Sequence, residues 1–372
     1  MDTDATRGDG TIDCSVLVPV LDEERFIADS VRAMQAQRFP GTIEILLADG
    51  GSTDGTRAIL AEVARRDPRV RVLENPRGTT PSGLNVALAN ARGRWVARMD
   101  AHTEYGDEYL AHGVERLRRG GTRWVSGPPV AAGSGPVSRA VALALRTRLG
   151  RGASRKWAAE SNGGAQEYEL DSGVFAGVWE RRTLLAYGGW DEGWPRNQDS
   201  EMAGRFLAEG EKLICLPAMA AHYTPRNSLA GLWRQYLEYG EYREKTAVRH
   251  PQTMRRSHLL APSLVIAAAA AVAAPTPLRT IARMGIGVYG VAVVAGSLAV
   301  ARHAKDARDA ALVPIVLVVM HLAHGAGTIR GSLRNGPPLA GIASALGLGR
   351  LGERLRPAPT PVFAPSLRDV SV

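Results

Sequence analysis

An acidic residue followed by glycines stands where a buried strand would end. Residues 43–48 are mostly apolar, and residues 49–56 then read Asp-Gly-Gly-Ser-Thr-Asp-Gly-Thr. In an open α/β sheet, ligands bind in the crevice outside the carboxyl ends of the strands. Asp49 could accept a hydrogen bond from a base or sugar there, and Gly51 would let the backbone approach closely. The same residues also suit an ordinary turn, so the pattern predicts a site only together with further acidic motifs.

A second acidic motif closes residues 94–102, which read Arg-Trp-Val-Ala-Arg-Met-Asp-Ala-His. If the chain is extended here, Asp100 and His102 lie on one side and can hold one ion. A divalent cation that bridges a diphosphate usually takes one or two protein ligands. A histidine ligand favours Mn²⁺ somewhat over Mg²⁺. The motif therefore predicts a Mn²⁺ or Mg²⁺ site, and the alternative is an aspartate that caps a turn.

The third acidic motif begins a helix. Asp199 and Glu201 precede apolar residues at helical spacing, and Gly210 ends the pattern. A carboxylate here could take a proton from an attacking hydroxyl as a general base. Acidic residues also favour helix N-termini because of the helix dipole, which is the plainer interpretation.

Four other side chains carry weaker signals. Trp190 and Trp194 could stack on acceptor sugars, or they could simply pack in the core. His222 follows a strand-like segment and could complete a metal site or serve a structural role. Asp171 could orient the acceptor or cap a turn.

The order of these motifs resembles that of the family 2 glycosyltransferases, whose catalytic domain has the GT-A fold. The resemblance begins at the strand of residues 14–20 and covers roughly residues 14–245. Its motifs are specific in combination rather than singly. Four segments resemble the bacterial exopolysaccharide branch, with its succinoglycan-type membrane glucosyltransferases: Leu170-Asp171-Ser172-Gly173-Val174-Phe175, Asn197-Gln198-Asp199-Ser200-Glu201, Pro225-Arg226-Asn227-Ser228-Leu229 and Arg234-Gln235-Tyr236-Leu237-Glu238-Tyr239-Gly240.

The resemblance implies a nucleotide site at the first strand ends. Pro19, Leu21 and Glu23 match the motif that lines the nucleobase pocket of the family. Asp49 matches the aspartate that reads the uracil edge. The resemblance thus implies a UDP-sugar as the donor.

The resemblance also implies a metal site and a base, with two departures. Asp100 matches the first aspartate of the metal motif, which helps to hold the nucleotide, and Asp199 matches the catalytic base. His102 stands where many members carry a second aspartate. Gln198 replaces the usual glutamate before the base. One carboxylate base without an enzyme nucleophile predicts inversion of the anomeric centre in a single displacement.

A further feature bears on the product. The Gln-x-x-Arg-Trp motif of processive synthases is absent after residue 210. The resemblance therefore implies that one sugar is added to each acceptor.

The charge and the cysteine content of the chain indicate its partners and its compartment. The chain has 372 residues and a net charge of +9, with 46 basic residues that are mostly arginine. Arginine binds phosphate in a bidentate manner, which suits nucleotide or phospholipid partners. No nucleic-acid-binding motif is present, so nucleic acid is not an expected partner. The two cysteines, in apolar strand contexts, predict a reducing cytoplasm, and the polar first residues lack a secretory signal.

The chain predicts an α/β domain with a mainly parallel sheet. Strands are expected near residues 15–20, 43–49, 70–74, 94–100 and 123–127, and helices near 23–37, 54–66, 82–92 and 107–118. Residues 1–12 are expected to be disordered. The GT-A domain is expected over residues 13–224.

A segment before the end of the predicted domain has weak periodicity. We interpret residues 151–166 as a mobile loop on the acceptor side, hinged at residues 162–164. A solvated linker is the alternative.

Residues 225–258 predict amphipathic helices at a membrane interface, because they mix apolar, aromatic and cationic side chains. Arg234, Gln235 and Arg243 could hold the diphosphate of the donor or of a lipid acceptor. An ordinary surface helix is the alternative.

Residues 259–329 contain three nearly uncharged stretches, each close to the length that crosses a bilayer. Two or three transmembrane helices are predicted, with a soluble helical region as the alternative. Arginines lie on both sides of the spans, so they do not decide the topology. Residues 330–372 are expected to form an amphipathic and disordered tail.

These features together predict a membrane-anchored enzyme at the plasma or inner membrane, with its catalytic domain in the cytoplasm. It would transfer a hexose from a UDP-sugar to a saccharide on polyprenyl diphosphate. One alternative keeps the fold and uses polyprenyl phosphate itself as the acceptor. Another is a membrane-bound protein that binds sugar nucleotides without catalysis.

Overall fold

A computed structural model describes residues 11–152, 154–157, 166–368 and 370. The chain divides into two compact units. The first comprises residues 1–129, 158–222 and 361–372, and the second residues 130–157 and 223–360. Residues 1–10 and most of the predicted mobile loop, with its hinge at 162–164, lie outside the described residues.

Strands alternate with helices through the first part of the chain. In chain order, the strands are β1 (Cys14–Val20), β2 (Ile43–Asp49), β3 (Val70–Glu74), β4 (Trp95–Arg98), β5 (Thr103–Tyr105), β6 (Trp124–Ser126), β7 (Pro129–Ala131), β8 (Tyr168–Leu170), β9 (Gly177–Glu180), β10 (Leu213–Cys215) and β11 (Ala221–Tyr223).

The α-helices follow the same numbering. They are α1 (Ile27–Gln35), α2 (Thr56–Arg66), α3 (Thr80–Asn90), α4 (Tyr109–Arg118), α5 (Pro136–Arg146), α6 (Arg148–Arg151), α7 (Arg181–Ala186), α8 (Gln198–Ala208), α9 (Leu229–Arg249), α10 (Leu260–Ala273), α11 (Thr276–Ala301), α12 (Ala307–Asn335), α13 (Leu339–Ala345) and α14 (Gly349–Arg354). Short 3₁₀ turns lie at Arg155–Trp157, Pro217–Met219, Pro251–Thr253, Arg256–Leu259 and Pro365–Leu367.

The first unit is built on an eight-stranded sheet with the order β3-β2-β1-β4-β9-β6-β10-β8. β1 pairs in parallel with β2 and β4, and β2 pairs in parallel with β3. β9 runs antiparallel to β4 and β6, and β8 runs antiparallel to β10. Because β2, β1 and β4 are parallel neighbours, their carboxyl ends meet at one edge of the sheet.

Alternating residues of each central strand enter opposite cores. Val16, Val18 and Ile45 belong to a core on one face, while Leu17 and Leu46 belong to a core on the other face. A strand that is covered on both faces is apolar along its whole length, which explains the unbroken apolar runs in the sequence. The predicted α/β domain is confirmed, and its sheet is mixed, with three antiparallel pairs beside the parallel ones.

The two cysteines lie in this sheet, in β1 and β10, and both are buried. Burial raises the pKa of the Cys215 thiol to about 12 and raises that of Cys14 further. Neither thiol is therefore a nucleophile at neutral pH, as expected for cysteines that serve as small apolar residues.

Among the described residues of the second unit, three helical segments are long and apolar enough to cross a membrane: Arg256–Ala273, Thr276–Ala301 and Ala307–Asn335. Many of their apolar side chains are exposed, such as Val272 at 78% and Val288 at 71%. Close helix packing occurs through glycines, since a Cβ on Gly327 would lie 2.0 Å from the Leu237 carbonyl oxygen of α9. An ion pair joins Arg139 Nε to Oδ2 of the buried Asp309 at 2.6 Å.

The sequence predicted most of the first unit well and placed three boundaries wrongly. The strand predicted at residues 94–100 ends at Arg98, because residues 99–102 form a turn closed by a hydrogen bond from Thr103 N to Asp100 O. The last long helix ends at Asn335 rather than at residue 329, because no proline or glycine interrupts residues 332–335. The end of the tail predicted to be disordered forms a 3₁₀ turn at Pro365–Leu367 and is hydrogen-bonded to Asp191 and Glu192.

Candidate active site

The loops after β1 and β2 are joined by hydrogen bonds at the carboxyl edge of the sheet. Asp22 N donates to Ser52 Oγ at 2.9 Å, and Ser52 Oγ donates to Asp49 Oδ1 at 2.6 Å. Glu23 N donates to Thr56 Oγ1 at 2.7 Å, which holds the first turn of α2. Asp22 adopts a left-handed backbone with φ 52°. The two loops thus form one wall around the Asp49 carboxylate.

Asp49 is a buried carboxylate held in its ionised form. Arg57 Nε donates to its Oδ2 at 2.9 Å, and the backbone and hydroxyl of Ser52 donate to Oδ1. Burial alone would raise the pKa of the Asp49 carboxyl, but the hydrogen bonds from Ser52 and Arg57 outweigh burial and lower it. An acceptor that is charged at neutral pH therefore stands at this strand end.

The other predicted nucleobase residues lie beside Asp49. Pro19 pairs with Ala48 in the register of β1 and β2. Leu21 is 47% exposed, which is unusual for a leucine next to a core strand. Gly51 has φ 86° and open space around it, a backbone that favours glycine. The structure brings these residues to one place, and their contact with a base stays a prediction.

A buried arginine joins the second and third acidic motifs. Arg98, the last residue of β4, donates from Nε to Asp100 Oδ1 at 2.7 Å and from Nη2 to Asp100 Oδ2 at 3.0 Å. Its Nη1 donates to Asp199 Oδ1 at 2.7 Å. The arginine side chain is 3% exposed, and the two carboxylates are 13% and 14% exposed. One guanidinium thus holds together two carboxylates that are far apart in sequence.

The electrostatics of this group follow from burial. Burial would lower the pKa of Arg98, but Asp100 and Asp199 outweigh it and raise that pKa further. The Asp100 backbone N–H donates to the Tyr105 hydroxyl at 2.8 Å. Burial, with the charge of Asp100, raises the pKa of Tyr105 well above its ordinary value. Tyr105 is therefore a neutral support for the turn that carries Asp100.

The turn at residues 99–102 directs His102 away from the position that an extended chain would give it. His102 Nδ1 lies 2.8 Å from Glu23 Oε1, in the loop after β1. The assumption that Asp100 and His102 share one side of a strand is therefore wrong, because β4 has already ended. The contact instead connects the turn of Asp100 to the predicted nucleobase pocket.

Asp199 lies in the first turn of α8, as the sequence predicted. The residue before the helix, Asn197, has a left-handed backbone with φ 60°. The backbone of Gly173 approaches closely, since a Cβ there would lie 2.1 Å from the Asp199 carbonyl oxygen. The segment that begins at Asp171 therefore packs on the start of α8, although a role for Asp171 toward an acceptor stays a prediction.

Three other predicted site residues show different surroundings. Trp190 is fully buried against Trp179, with ring centroids 5.7 Å apart, so it packs in the core. Trp194 is 7% exposed. His222 is exposed on β11. Among the described residues, no three His, Cys, Asp or Glu side chains are grouped as a metal site, so a set of Asp100, His102 and His222 is not assembled.

The predicted diphosphate-binding residues lie on α9, in the second unit. Arg234 is exposed, and Arg243 is half-buried. Gln235 Nε2 donates to Tyr239 Oη at 3.1 Å. The helix itself is confirmed, and the binding role of these residues stays a prediction.

Comparison with known proteins adds an independent line of evidence. The profile of the family described as Glycosyl transferase family 2 matches residues 15–165. That range contains Asp49, Arg98, Asp100 and His102. The chain carries a family 2 glycosyltransferase domain. The protein is therefore a glycosyltransferase, as the order of its acidic motifs predicted.

Similar proteins extend the match beyond this domain. The glycosyltransferase is 29% identical over 314 residues to the succinoglycan biosynthesis protein ExoA of Rhizobium meliloti, covering 84% of this chain and 92% of that protein. It is 22% identical over 238 residues to a dolichyl N-acetyl-alpha-D-glucosaminyl phosphate 3-beta-D-2,3-diacetamido-2,3-dideoxy-beta-D-glucuronosyltransferase of Methanococcus voltae, covering 61% of this chain and 71% of that protein.

The fold is shared with a solved glycosyltransferase. The mannosyltransferase PcManGT from Pyrobaculum calidifontis, determined in complex with GDP-Man and Mn²⁺, superposes with a TM-score of 0.52 at 19% identity. The superposition covers 84% of this chain and 87% of that protein. The glycosyltransferase therefore has a GT-A-like domain.

Arg98 is a site residue that the sequence motifs do not single out. In the sequence it stands only as one residue of a strand-like run. One signal was available, since Arg98 lies two residues before Asp100 at the end of an otherwise apolar run. A charged residue in a strand that is covered on both faces needs a buried partner.

Proposed function

We propose that this glycosyltransferase moves a hexose from a UDP-sugar to a saccharide carried on polyprenyl diphosphate, with inversion and with a divalent cation. It would act at the cytoplasmic face of the plasma or inner membrane and add one sugar to each acceptor. The product would belong to a cell-surface or exopolysaccharide glycan. The similarity to ExoA, named for succinoglycan biosynthesis, supports this class of product.

The observation that carries the proposal is the Arg98 group. Asp100 belongs to the motif proposed to hold the donor diphosphate, and Asp199 is the proposed base. Inverting transfer needs these two groups on either side of one reacting carbon. Arg98 holds both, with donor–acceptor distances of 2.7 to 3.0 Å.

The proposed reaction is a single displacement. The acceptor hydroxyl oxygen attacks the anomeric carbon, its proton passes to Asp199, and the bond from that carbon to the diphosphate oxygen breaks. Holding Asp199 through Oδ1 fixes the carboxylate plane, so that the base keeps its orientation between turnovers. The nucleoside diphosphate leaves with the electron pair of the broken bond.

We infer that Asp100 and His102 would hold a divalent cation from the turn after β4, rather than from one side of a strand. A carboxylate has about four lone-pair sites, and Arg98 takes one on each oxygen of Asp100. A carboxylate on one ring nitrogen commonly orients a metal-binding histidine, as Glu23 would orient His102. A bound cation would neutralise charge on the leaving diphosphate. The complex of PcManGT with Mn²⁺ supports this choice of ion.

The apolar helices of the second unit support a lipid-linked acceptor. Their exposed apolar side chains suit a hydrocarbon environment, since each helix is long enough to span one. An enzyme fixed in the membrane meets a lipid-linked acceptor at high effective concentration.

The test is release of nucleoside diphosphate by the full-length protein in membranes. A panel of UDP- and GDP-sugars is offered with a polyprenyl-diphosphate saccharide extract, with Mn²⁺ or with a chelator. We expect turnover with one UDP-sugar, and loss of that turnover in the chelator. Turnover only with a GDP-sugar, or unchanged turnover in the chelator, would contradict the donor or the cation respectively.

Asp199→Asn is the variant that tests the base in this assay. We expect transfer to a saccharide hydroxyl to fall about 10²–10⁴-fold, because the amide cannot take the proton. The control is Glu209→Gln at the end of the same helix. If Asp199→Asn still transfers sugar well to polyprenyl phosphate, which is already ionised, the acceptor is the lipid phosphate. Binding of UDP without turnover on any acceptor would indicate a binding protein instead.

A further inference from the structure

The last residues of the chain lie against the loop that precedes Asp199. We name residues 361–370 the C-terminal strap, with residue 369 outside the described set. Glu192 N donates to the Phe363 carbonyl at 2.7 Å, and Phe363 N donates to Asp191 Oδ2 at 3.2 Å. Ser366 N donates to Glu192 Oε1 at 3.0 Å. Three backbone groups of the strap are thus paired with two consecutive loop residues.

Apolar contacts fix the strap beside the same loop. Leu367 and Val370 pack against the core that contains Leu184. Gly189, with φ 62°, has no Cβ where the strap passes, and a Cβ there would lie 2.5 Å from Leu367 Cδ1. A side chain at this glycine would therefore displace the strap.

Glu192 connects the strap to two further elements. Its Oε1 also accepts from Asn85 Nδ2 of α3 at 3.1 Å, and its Oε2 lies 3.3 Å from Arg77 Nε. The Arg77 guanidinium lies over the Phe363 ring at 5.7 Å. Removing the strap would leave a buried carboxylate with one hydrogen bond fewer, which is unfavourable in a dry environment.

The loop held in this way leads directly into the helix of the proposed base. Asp191 closes a turn by accepting from Gly193 N at 2.8 Å, and residues 193–197 then run to Asp199 in α8. The far side of the loop is tied to α8 as well, because Arg205 Nη2 donates to the Gly189 carbonyl at 2.8 Å.

We propose that the C-terminal strap is a positioning element for Asp199. It holds residues 188–197 in the conformation that places the start of α8 beside Arg98. The strap itself does not touch the reacting atoms. The effect on Asp199 rests on its proposed role as the base, whereas the effect on the loop does not.

The test compares Leu367→Asp with the matched Leu367→Met, and with a chain that ends at Thr360, all in the full membrane-bound protein. Aspartate at position 367 places a charge in the apolar contact and should release the strap, whereas methionine is apolar and of similar size and should preserve the contact. Hydrogen–deuterium exchange of residues 188–198 reports the loop without any need for turnover. The nucleotide-release assay reports kcat and the donor KM.

We expect Leu367→Asp and the shortened chain to exchange faster at residues 188–198 and to lose kcat on the order of 10–100-fold, with the donor KM changed less than about threefold. Leu367→Met should behave as the wild type, and a peptide of residues 358–372 should partly restore the shortened chain.

Unchanged exchange at residues 188–198 would overturn the proposal that the strap holds this loop. Faster exchange spread equally over β1 and β2 would show a general loss of stability and also overturn the proposal. Faster local exchange with unchanged kcat would overturn its role for Asp199, whereas a wild type without turnover would count only against the proposed function.

Discussion

Two carboxylate sites at one sheet edge use their arginines in opposite ways. Asp49 at the end of β2 is buried, but its partner Arg57 is 60% exposed. Asp100, after β4, and Asp199 share Arg98, which is 3% exposed. An exposed cation is solvated whether or not the pair forms, so it contributes little. A buried cation has no such alternative and must keep its partners.

The comparison indicates which site tolerates change. At Asp49, two hydrogen bonds from Ser52 remain if the arginine is removed. At the Arg98 group, two carboxylates would face each other without a cation between them. The first site is therefore suited to a carboxylate that stays available to a ligand. The second is suited to groups whose relative position must not change.

The largest effect is expected from Arg98→Leu. This change leaves two largely buried carboxylates, 13% and 14% exposed, without the guanidinium of Arg98, and we expect a loss of about 3–5 kcal/mol in the free energy of unfolding, with no measurable transfer. Urea denaturation and nucleotide release measure the two effects. Arg98→Lys should be intermediate, because an ammonium cannot hold two carboxylates in fork geometry.

The matched control is Arg94→Leu before the same strand. Arg94 is 70% exposed and lies 3.4 Å from Glu180. We expect it to cost less than about 1 kcal/mol. If Arg98→Leu and Arg94→Leu lowered the free energy of unfolding equally, burial would not explain the importance of Arg98.

Arg98 also marks the limit of what the sequence could predict. Asp49, Asp100 and Asp199 follow recognisable strand ends and a helix start, and the order of those motifs is a family pattern. The partners of a buried arginine depend on which distant segment packs beside it. Asp199 reaches Arg98 only through the packing of α8, which no local pattern encodes.

Two of the three errors, the end of β4 and the tail, have the same origin. The mostly apolar run of residues 95–99 suits a strand that continues to Asp100, yet the Asp100 backbone N–H donates to Tyr105 and a turn forms first. The tail looks disordered because it is rich in proline and polar residues. Its contacts come from Asp191 and Glu192, far away in sequence. Local propensity could predict the elements, but not these long-range partners.

A smaller effect is expected from Asp49→Asn. The amide keeps the size of the side chain and removes the charge, so we expect UDP to bind about 10–100-fold more weakly, as for loss of a hydrogen bond to a charged group. Titration calorimetry with UDP measures it. The matched control is Glu74→Gln, at the paired position on β3, which is exposed and should bind as the wild type. Unchanged affinity of Asp49→Asn would remove Asp49 from the nucleotide site.

The smallest effect is expected from Arg57→Ala. Its pair with Asp49 is 2.9 Å long, but the arginine side chain is 60% exposed and solvated, so we expect a loss of about 0.2–1 kcal/mol in the free energy of unfolding. UDP affinity should change less than about threefold, and the stability difference should shrink in about 1 M salt, where charges are screened within ~3 Å. Arg65→Ala on the same helix is the control, because its pair with Glu62 is also exposed. If Arg57→Ala lost as much UDP affinity as Asp49→Asn, Arg57 would contact the nucleotide itself. The difference between Arg57 and Arg98 would then reflect ligand binding rather than burial.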